Sequence, residues 1–149
     1  MTVAVNVEGT KRALAKFALD LEVACSVAIG EALEAAENAA RNAIKATTKR
    51  RTGALEDKLQ GVMLSTTSGK FFALAEHARY IDEGTPPHII AAKGGRWLRF
   101  EQAGTVMFRR VVRHPGTKPR PFVASAQASG QMALRNTLNQ IVNQMVRRF

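Results

Sequence analysis

The chain has 149 residues, enough for one domain with a modest core, and we expect a single domain over residues 1–149. Hydrophobic residues make up 46% and charged residues 23%, which is typical of a packed globular protein and excludes a disordered or fibrous chain. The net charge of +10 is concentrated in residues 49–149, where Lys and Arg exceed Asp and Glu by eleven, so this part should attract polyanions or acidic protein surfaces.

The single cysteine and the hydropathy pattern narrow the class of protein further. Cys25 stands alone in an apolar stretch, which excludes an internal disulfide framework, favours a reducing compartment and predicts a small core residue. The longest uncharged stretch in the N-terminal half, residues 23–30, is far shorter than the roughly 20 residues of a membrane span, and no signal-like segment precedes it. We therefore expect a soluble protein that does not enter a membrane.

A short strand followed by a long helix is predicted at the start of the chain. Val3, Val5 and Val7 alternate with polar or small residues, which is the period of a strand. From Thr10, which can cap a helix, to about Ala46, apolar residues return every three or four positions and predict one amphipathic helix. At about 1.5 Å per residue this helix spans roughly 50–55 Å, which is longer than a domain of this size covers, so part of it should pack against a neighbouring subunit.

Two β-hairpins are predicted in the middle of the chain. They comprise residues 59–66 with 70–75, and residues 96–101 with 105–112. In the second hairpin Leu98 and Phe100 share one face of the strand, whereas Arg99 and Glu101 share the other, which indicates that one side of the sheet is buried.

A long projecting loop is predicted between the hairpins, over residues 86–96. It begins with two prolines, ends with two glycines and carries an apolar pair without an obvious intrachain partner. We expect this segment to contact a neighbouring subunit or another protein through Pro86, Pro87, Ile89 and Ile90.

The last predicted element is a helix that begins near Val123. Its apolar stripe consists of Leu134, Leu138, Ile141, Met145 and Phe149. The predicted fold class is therefore α+β, with an antiparallel sheet of about four to five strands packed by a long N-terminal helix and a C-terminal helix.

The sequence offers little that indicates catalysis. His77, His88 and His114 lack the spacing of metal ligands, and the adjacent Asp82 and Glu83 would point to opposite sides of a strand. No nucleophile motif and no dinucleotide-binding glycine loop is present. We expect neither enzymatic activity nor a metal or other cofactor.

Basic residues cluster around the second hairpin and form a predicted basic face. Its members are Arg109, Arg110, Arg113, Lys118 and Arg120. Contact with phosphate is possible there, but an ordinary solvated surface has the same composition, and most of the few aromatic residues stand at positions expected to be core.

Three short motifs, which we call islands, follow one another at wide spacing. The first contains Thr52, Gly53 and Leu55; the second contains Tyr80, Glu83, Gly84 and Thr85; the third contains His114, Pro115, Gly116, Pro121 and Phe122. Their glycines permit tight turns, their prolines stiffen the approach to the last helix, and Phe122 would anchor that helix in the core.

In this order, between a helix and a helix, the islands resemble the small head-tail connector and tail-completion proteins of long-tailed phages, the Hong Kong 97-type family. The resemblance covers the C-terminal two-thirds of the chain. It implies a structural virion protein of a phage or prophage that forms a homo-oligomeric ring, expected to be sixfold, at the head-tail junction, after assembly in the host cytoplasm. Its partners would be other neck, portal-side and tail-tube proteins, with DNA passing through the ring without sequence-specific contact.

A basic nucleic-acid-binding protein of phage origin is the alternative that the charge distribution leaves open. The two classes differ in mass and salt response. A neck protein should form or join rings, whereas a nucleic-acid-binding protein should bind DNA as a small oligomer with a steep dependence on salt.

Overall fold

The computed structural model describes residues 7–47, 53–102 and 104–147. Helices and strands alternate along the chain in the order α1 (Glu8–Thr47), β1 (Leu59–Ser65), β2 (Ser68–Ala73), α2 (Ala78–Asp82), β3 (His88–Ala91), β4 (Leu98–Gln102), β5 (Thr105–Arg109), β6 (Val111–His114) and α3 (Phe122–Val146), with a short 3-10 turn, Glu56–Lys58, before β1. The chain forms two compact units, one from Met1–Glu76 with Phe122–Phe149 and the other from His77–Pro121.

The long N-terminal helix predicted from the sequence is confirmed. α1 has 40 residues, with acidic Glu8 in its first turn and basic Lys45 in its last, where each charge opposes the helix dipole. At about 1.5 Å per residue the helix is roughly 60 Å long. It is considerably longer than α3, which has 25 residues.

A seam of small residues joins α1 to α3. Ala24, Ala28, Ala36 and Ala40 are buried, and their spacing of four or eight residues places them along one side of α1. At Gly130 of α3 an added Cβ would lie 3.1 Å from the carbonyl oxygen of Ala32 and 3.3 Å from the Cβ of Ala36. The two backbones therefore approach closely, and small side chains are what permits this packing.

The β1–β2 hairpin lies against the same long helix. Its antiparallel register pairs Leu59 with Ala73, and confirms the first hairpin predicted from the sequence. The amide of Gly61 donates a hydrogen bond to the Glu37 carboxylate over 2.5 Å, and Arg41 forms an ion pair with the same side chain at 3.2 Å. Glu37 thus joins the hairpin to α1 by a charge-assisted hydrogen bond.

The remaining strands form one interrupted ribbon within His77–Pro121. β3 pairs antiparallel with β6, from His88 opposite His114 to Ala91 opposite Val111, and β4 pairs antiparallel with β5. Between the two ladders, residues 92–97 stand opposite Arg110 alone, and the Ala92 amide bonds to the Arg110 carbonyl at 2.8 Å. The ribbon therefore contains a bulge of several residues that separates it into two short sheets.

Several predictions from the sequence need correction at this level. The described residues form three two-stranded sheets, β1–β2, β3–β6 and β4–β5, where one sheet of four to five strands was expected. The bulge interrupts the ribbon, and β1–β2 belongs to the other unit, so hydrogen bonding does not run continuously from hairpin to hairpin. The predicted loop 86–96 contains strand β3, and α2 was not foreseen. The strand predicted at Val3 and Val5 lies outside the described residues.

Candidate functional site: the island clasp and the exposed surfaces

The second and third islands meet in space and form a structure that we call the clasp, consisting of Gly84, Thr85, Gly116 and Thr117. Thr85 and Thr117 form an isolated antiparallel bridge, with amide-to-carbonyl hydrogen bonds of 3.1 Å and 3.0 Å in the two directions. Their hydroxyl groups lie 3.0 Å apart, and the Thr117 amide also donates to the Thr85 hydroxyl at 3.1 Å. Two segments 32 residues apart are therefore held together mainly by backbone polar groups.

Both glycines of the clasp occupy backbone conformations that other residues rarely adopt. Gly84 has a φ of +74° and Gly116 a φ of +87°. An added Cβ on Gly116 would overlap the Thr85 carbonyl oxygen, and one on Gly84 would lie 2.5 Å from the Thr117 carbonyl oxygen. Each glycine is thus required both by its φ angle and by the close approach of the opposite strand.

The short helix α2 leads directly into the clasp. The Arg120 amide donates hydrogen bonds to the carbonyl oxygens of Ile81 and Asp82 at 3.0 Å and 3.1 Å. The third island therefore supplies a hydrogen-bond donor to the carbonyl groups at the C-terminal end of α2. Arg79 donates a hydrogen bond to Glu83 at 2.8 Å, and this hydrogen bond, together with the negative charge of Glu83, raises the pKa of Arg79 above its ordinary value. The second island is therefore a helix-to-turn junction, in which Tyr80 remains exposed.

The first island lies in the other unit. Leu55 is buried, and the carbonyl of Gly53 accepts a hydrogen bond from the Asp57 amide at 2.9 Å, which closes a turn before β1. Thr52 lies outside the described residues. Phe122, the last residue of the third island, begins α3 and is 1% exposed.

Two histidines face each other across the β3–β6 ladder. The rings of His88 and His114 have centroids 5.0 Å apart and are tilted by 34°. The His114 Nδ1 accepts a hydrogen bond from the Gly116 amide at 3.1 Å, and the His88 Nδ1 lies 2.9 Å from the Pro86 carbonyl. No group of three His, Cys, Asp or Glu side chains that could hold a metal ion occurs within the described part of the chain.

The predicted contact segment is exposed, although it is a strand and not a loop. All four residues of β3 are exposed, and Ile89 has 64% of its surface accessible. Pro86 and Pro87 precede this strand and are exposed as well. Ile89 and Ile90 are neighbours on a strand, so their side chains point to opposite sides of the ribbon.

The predicted basic residues are all exposed but do not share one face. Arg109 is the cross-strand partner of Leu98, whereas the guanidinium carbon of Arg110 lies over the Trp97 ring at 5.0 Å from its centroid. The remaining members, Arg113, Lys118 and Arg120, follow along β6 and the third island. Positive charge is therefore distributed around the ribbon.

An exposed aromatic pair beside these arginines was missed by the sequence reasoning. Trp97 is 57% exposed and Phe108 is 53% exposed, although most aromatic residues were expected in the core. The sequence feature that could have indicated their exposure is the charge of their neighbours, because Trp97 lies between Arg96 and Arg99, and Phe108 precedes two arginines.

A further exposed surface is the N-terminal part of α1, residues 8–23, which we call the overhang. The first buried residue of α1 is Ala24, which lines a small hollow together with the buried Met145 of α3. Within residues 7–23 every side chain is exposed except the half-buried Phe17. The overhang therefore carries apolar side chains that α3 does not cover.

An apolar hollow of about 350 Å³ opens between α1, α3 and the β1–β2 hairpin. Aliphatic and aromatic residues line most of it, and its polar side chains are the amides Gln127 and Gln131. None of its lining residues is titratable, so the hollow offers no group for acid–base chemistry.

Comparison with models of known protein families, with characterised proteins and with solved structures finds no match for the chain. The chain's own residues must therefore indicate its function. No helix of the described residues combines the length and apolar content that crossing a lipid bilayer requires.

Proposed function

We propose that the chain is a structural subunit that assembles into a ring at the head-tail junction of a tailed phage or prophage and joins the tail to the DNA-filled head. The observation that carries this proposal is the overhang. A helix of 40 residues packs against one of 25, and the excess length carries exposed apolar side chains. Large exposed apolar surfaces are rare on monomeric proteins and mark sites of protein association.

The overhang is apolar on two sides. Leu14 continues the three-and-four spacing that leads through Leu21 to Ala24 in the seam, and it is 68% exposed. On the opposite side of α1 stand Leu19 and Val23, which are 64% and 65% exposed. A helix that is apolar on opposite sides is suited to burial between two neighbours, and contacts between unlike surfaces are those that close a ring of identical subunits.

The short sheets support the same proposal. Two-stranded sheets are only marginally stable by themselves, and their outer edges present unpaired backbone groups. We propose that the antiparallel sheet of four to five strands expected from the sequence forms when strands of adjacent subunits pair edge to edge. The exposed Ile89 on β3 would then be covered by the neighbouring subunit.

The islands fit this role as structural motifs. The clasp holds the ribbon by backbone hydrogen bonds, and neither it nor the apolar hollow presents a nucleophile beside a general base. A positioning role needs rigid turns more than reactive groups. The proposed partners are further copies of the chain, expected in six, and portal-side, neck and tail-tube proteins, with DNA in the ring lumen and no membrane.

The proposal is tested by complementation of a phage or prophage that lacks this protein. We expect the knockout lysate to contain DNA-filled heads and separate tails that fail to join, and the wild-type chain to restore joined particles. The double variant Leu14→Gln with Leu21→Gln should remain folded by circular dichroism but fail to restore joining, and its purified form should lose the ring mass seen in native mass spectrometry.

The matched control is Lys11→Gln with Ala15→Gln, which places the same new side chains at exposed positions of the same helix, between the stripe that contains Leu14 and the opposite side that contains Leu19. This control should assemble and complement normally. Joined, infectious particles in the knockout lysate would refute the proposal. Normal ring mass of the Leu14→Gln, Leu21→Gln variant would show that the overhang is not the assembly surface.

A further inference from the structure

One face of the β4–β5 hairpin combines exposed aromatic rings with guanidinium groups. Arg99 on β4 stands directly opposite Phe108 on β5, and these two residues share a face because cross-strand partners point the same way. Trp97 precedes β4 and Arg110 follows β5, and the guanidinium carbon of Arg110 lies 5.0 Å from the centroid of the Trp97 ring. These two residues form a second cross-strand pair on the same face. We call this surface, made of Trp97, Arg99, Phe108 and Arg110, the Trp97 face.

The two rings and the two guanidinium groups alternate on this face. Trp97 and Phe108 occupy one diagonal of the two neighbouring pairs, and Arg99 and Arg110 occupy the other. Diagonal neighbours on a two-stranded sheet lie about 7–8 Å apart, so each ring has a guanidinium group nearby. The Arg110 guanidinium lies over one side of the Trp97 ring. More than half the surface of each aromatic residue is accessible to solvent.

The electrostatic setting favours an anionic ligand. The unit His77–Pro121 contains nine Lys and Arg residues against three Asp and Glu residues. One of the three acids, Glu83, forms its ion pair with Arg79, and no ion pair between described side chains engages Arg96, Arg99, Arg109 or Arg110. Cationic side chains without carboxylate partners are available for phosphate groups.

We propose that the Trp97 face binds single-stranded nucleic acid without reading its sequence. Bases would stack on Trp97 and Phe108, and Arg99 and Arg110 would hold the adjoining phosphates. Stacking requires a base that is free of its complement, since a duplex presents its sugar-phosphate backbone outward and keeps its base faces covered. This binding goes beyond the assembly role proposed above and does not depend on it.

Trp97 makes the proposal directly measurable, because it is the only tryptophan in the chain. A thymidine oligonucleotide titrated into the full-length protein at low salt should quench the tryptophan fluorescence in a saturable way. A mixed-sequence DNA duplex and polyglutamate should produce little quenching at the same charge concentration. Phe108→Ala should weaken binding of the oligonucleotide at least tenfold, whereas Val111→Ala, which shortens another exposed apolar side chain of the ribbon, should not.

The contribution of the arginines is separated by salt dependence. Arg99→Gln with Arg110→Gln should reduce the slope of log affinity against log salt by about 1.4, since each phosphate contact on a single strand contributes about 0.7. The control Arg113→Gln with Lys118→Gln removes the same charge from the same unit and should change the slope less.

Saturable quenching that depends on Phe108 supports the proposal. Equal quenching by duplex would show a charge contact without stacking, and quenching by polyglutamate alone would show a surface for an acidic protein. Either result, or equal losses in the face variants and their controls, overturns the proposal. Ring mass, measured separately, reports only on the assembly function, so failure of one proposal is distinguishable from failure of the other.

Discussion

In the unit of Met1–Glu76 with Phe122–Phe149, two helices and a hairpin bury apolar side chains against each other, whereas in His77–Pro121 a thin ribbon is held largely by its backbone. Of the buried residues in the described part of the chain, only Ala78 belongs to the second unit. The first unit contains the alanine seam, Phe122 and Met145. Burial of apolar area stabilises the first unit, and directed hydrogen bonds at the clasp fix the shape of the second.

This difference also separates the types of surface that each unit offers. The helical unit leaves an apolar overhang exposed, and the ribbon leaves charged and aromatic side chains exposed. A rigid, well-packed unit can present a long helix to a neighbour without losing its own fold. A ribbon with few buried side chains has little packing energy, so its backbone contacts should be sensitive to single changes.

The largest expected effect is in the helical unit, from Phe122→Ala. Phe122 is the largest fully buried side chain of the described residues, so its removal should lower the free energy of unfolding by about 3–5 kcal/mol. Urea denaturation followed by circular dichroism measures this value. Met132→Ala, at a position 63% exposed on the same helix, is the control and should stay within about 0.5 kcal/mol of the unchanged protein. Equal losses would mean that Phe122 does not anchor α3.

A smaller and more local effect is expected at the clasp from Gly116→Ala. The positive φ and the overlap with the Thr85 carbonyl should destabilise the ribbon by about 2–3 kcal/mol. Hydrogen exchange should show loss of protection at the amides of Thr85 and Thr117 while α3 amides keep theirs. Gly95→Ala serves as the control, because Gly95 also has a positive φ, of +71°, but an added Cβ there meets nothing within 4 Å.

If Gly116→Ala reduced hydrogen-exchange protection uniformly across α1 and α3, the two units would unfold together, and the expected difference in their stability would be wrong. Indistinguishable exchange in the Gly116→Ala and Gly95→Ala variants would show that the bridge between Thr85 and Thr117 does not depend on the close approach of their strands.

The smallest effect is expected from a polar contact inside the helical unit. Thr137 is buried on α3 and donates its hydroxyl hydrogen bond to the Glu31 carboxylate of α1. Thr137→Val keeps the shape but removes the donor, and should cost about 1 kcal/mol. A double-mutant cycle with Glu31→Gln measures the coupling between the two residues, and a coupling energy of zero would show that packing alone holds the helices in register.

The sequence was most informative where a periodic pattern ran for many residues. The α1 helix, the β1–β2 hairpin and the start of α3 near Val123 were predicted close to their observed bounds. On α3, Met145 of the predicted stripe is buried, and Asn139, Gln140 and Asn143 on the other side are exposed. A long amphipathic period reports directly on which side of a helix is covered.

Short strands and their pairing were much less predictable. Strand β3 follows two prolines and precedes two glycines, and its four residues resemble a loop until β6 is placed beside them. The bulge opposite Arg110 depends on the register of two ladders, which local sequence does not encode. The continuous sheet expected from the sequence therefore became three short ones among the described residues.

For the candidate site, the sequence identified the islands but not their arrangement. Gly84 and Gly116 were identified as turn residues from the sequence, yet only the folded chain shows that the threonines that follow them, Thr85 and Thr117, pair with each other. The exposure of Trp97 and Phe108 was likewise invisible, because an aromatic residue in a strand has the same local pattern whether its face is covered or open.

By itself the sequence determined the two long helices, the first hairpin, the excess of positive charge in residues 49–149 and the turn residues of the islands, because each of these depends on neighbours within a few positions. Tertiary structure decided which part of α1 is covered, which strands pair and which aromatic rings meet solvent. These outcomes depend on contacts between residues far apart in the chain, such as Thr137 with Glu31 and Thr85 with Thr117. Such contacts form only when distant segments of the chain fold together.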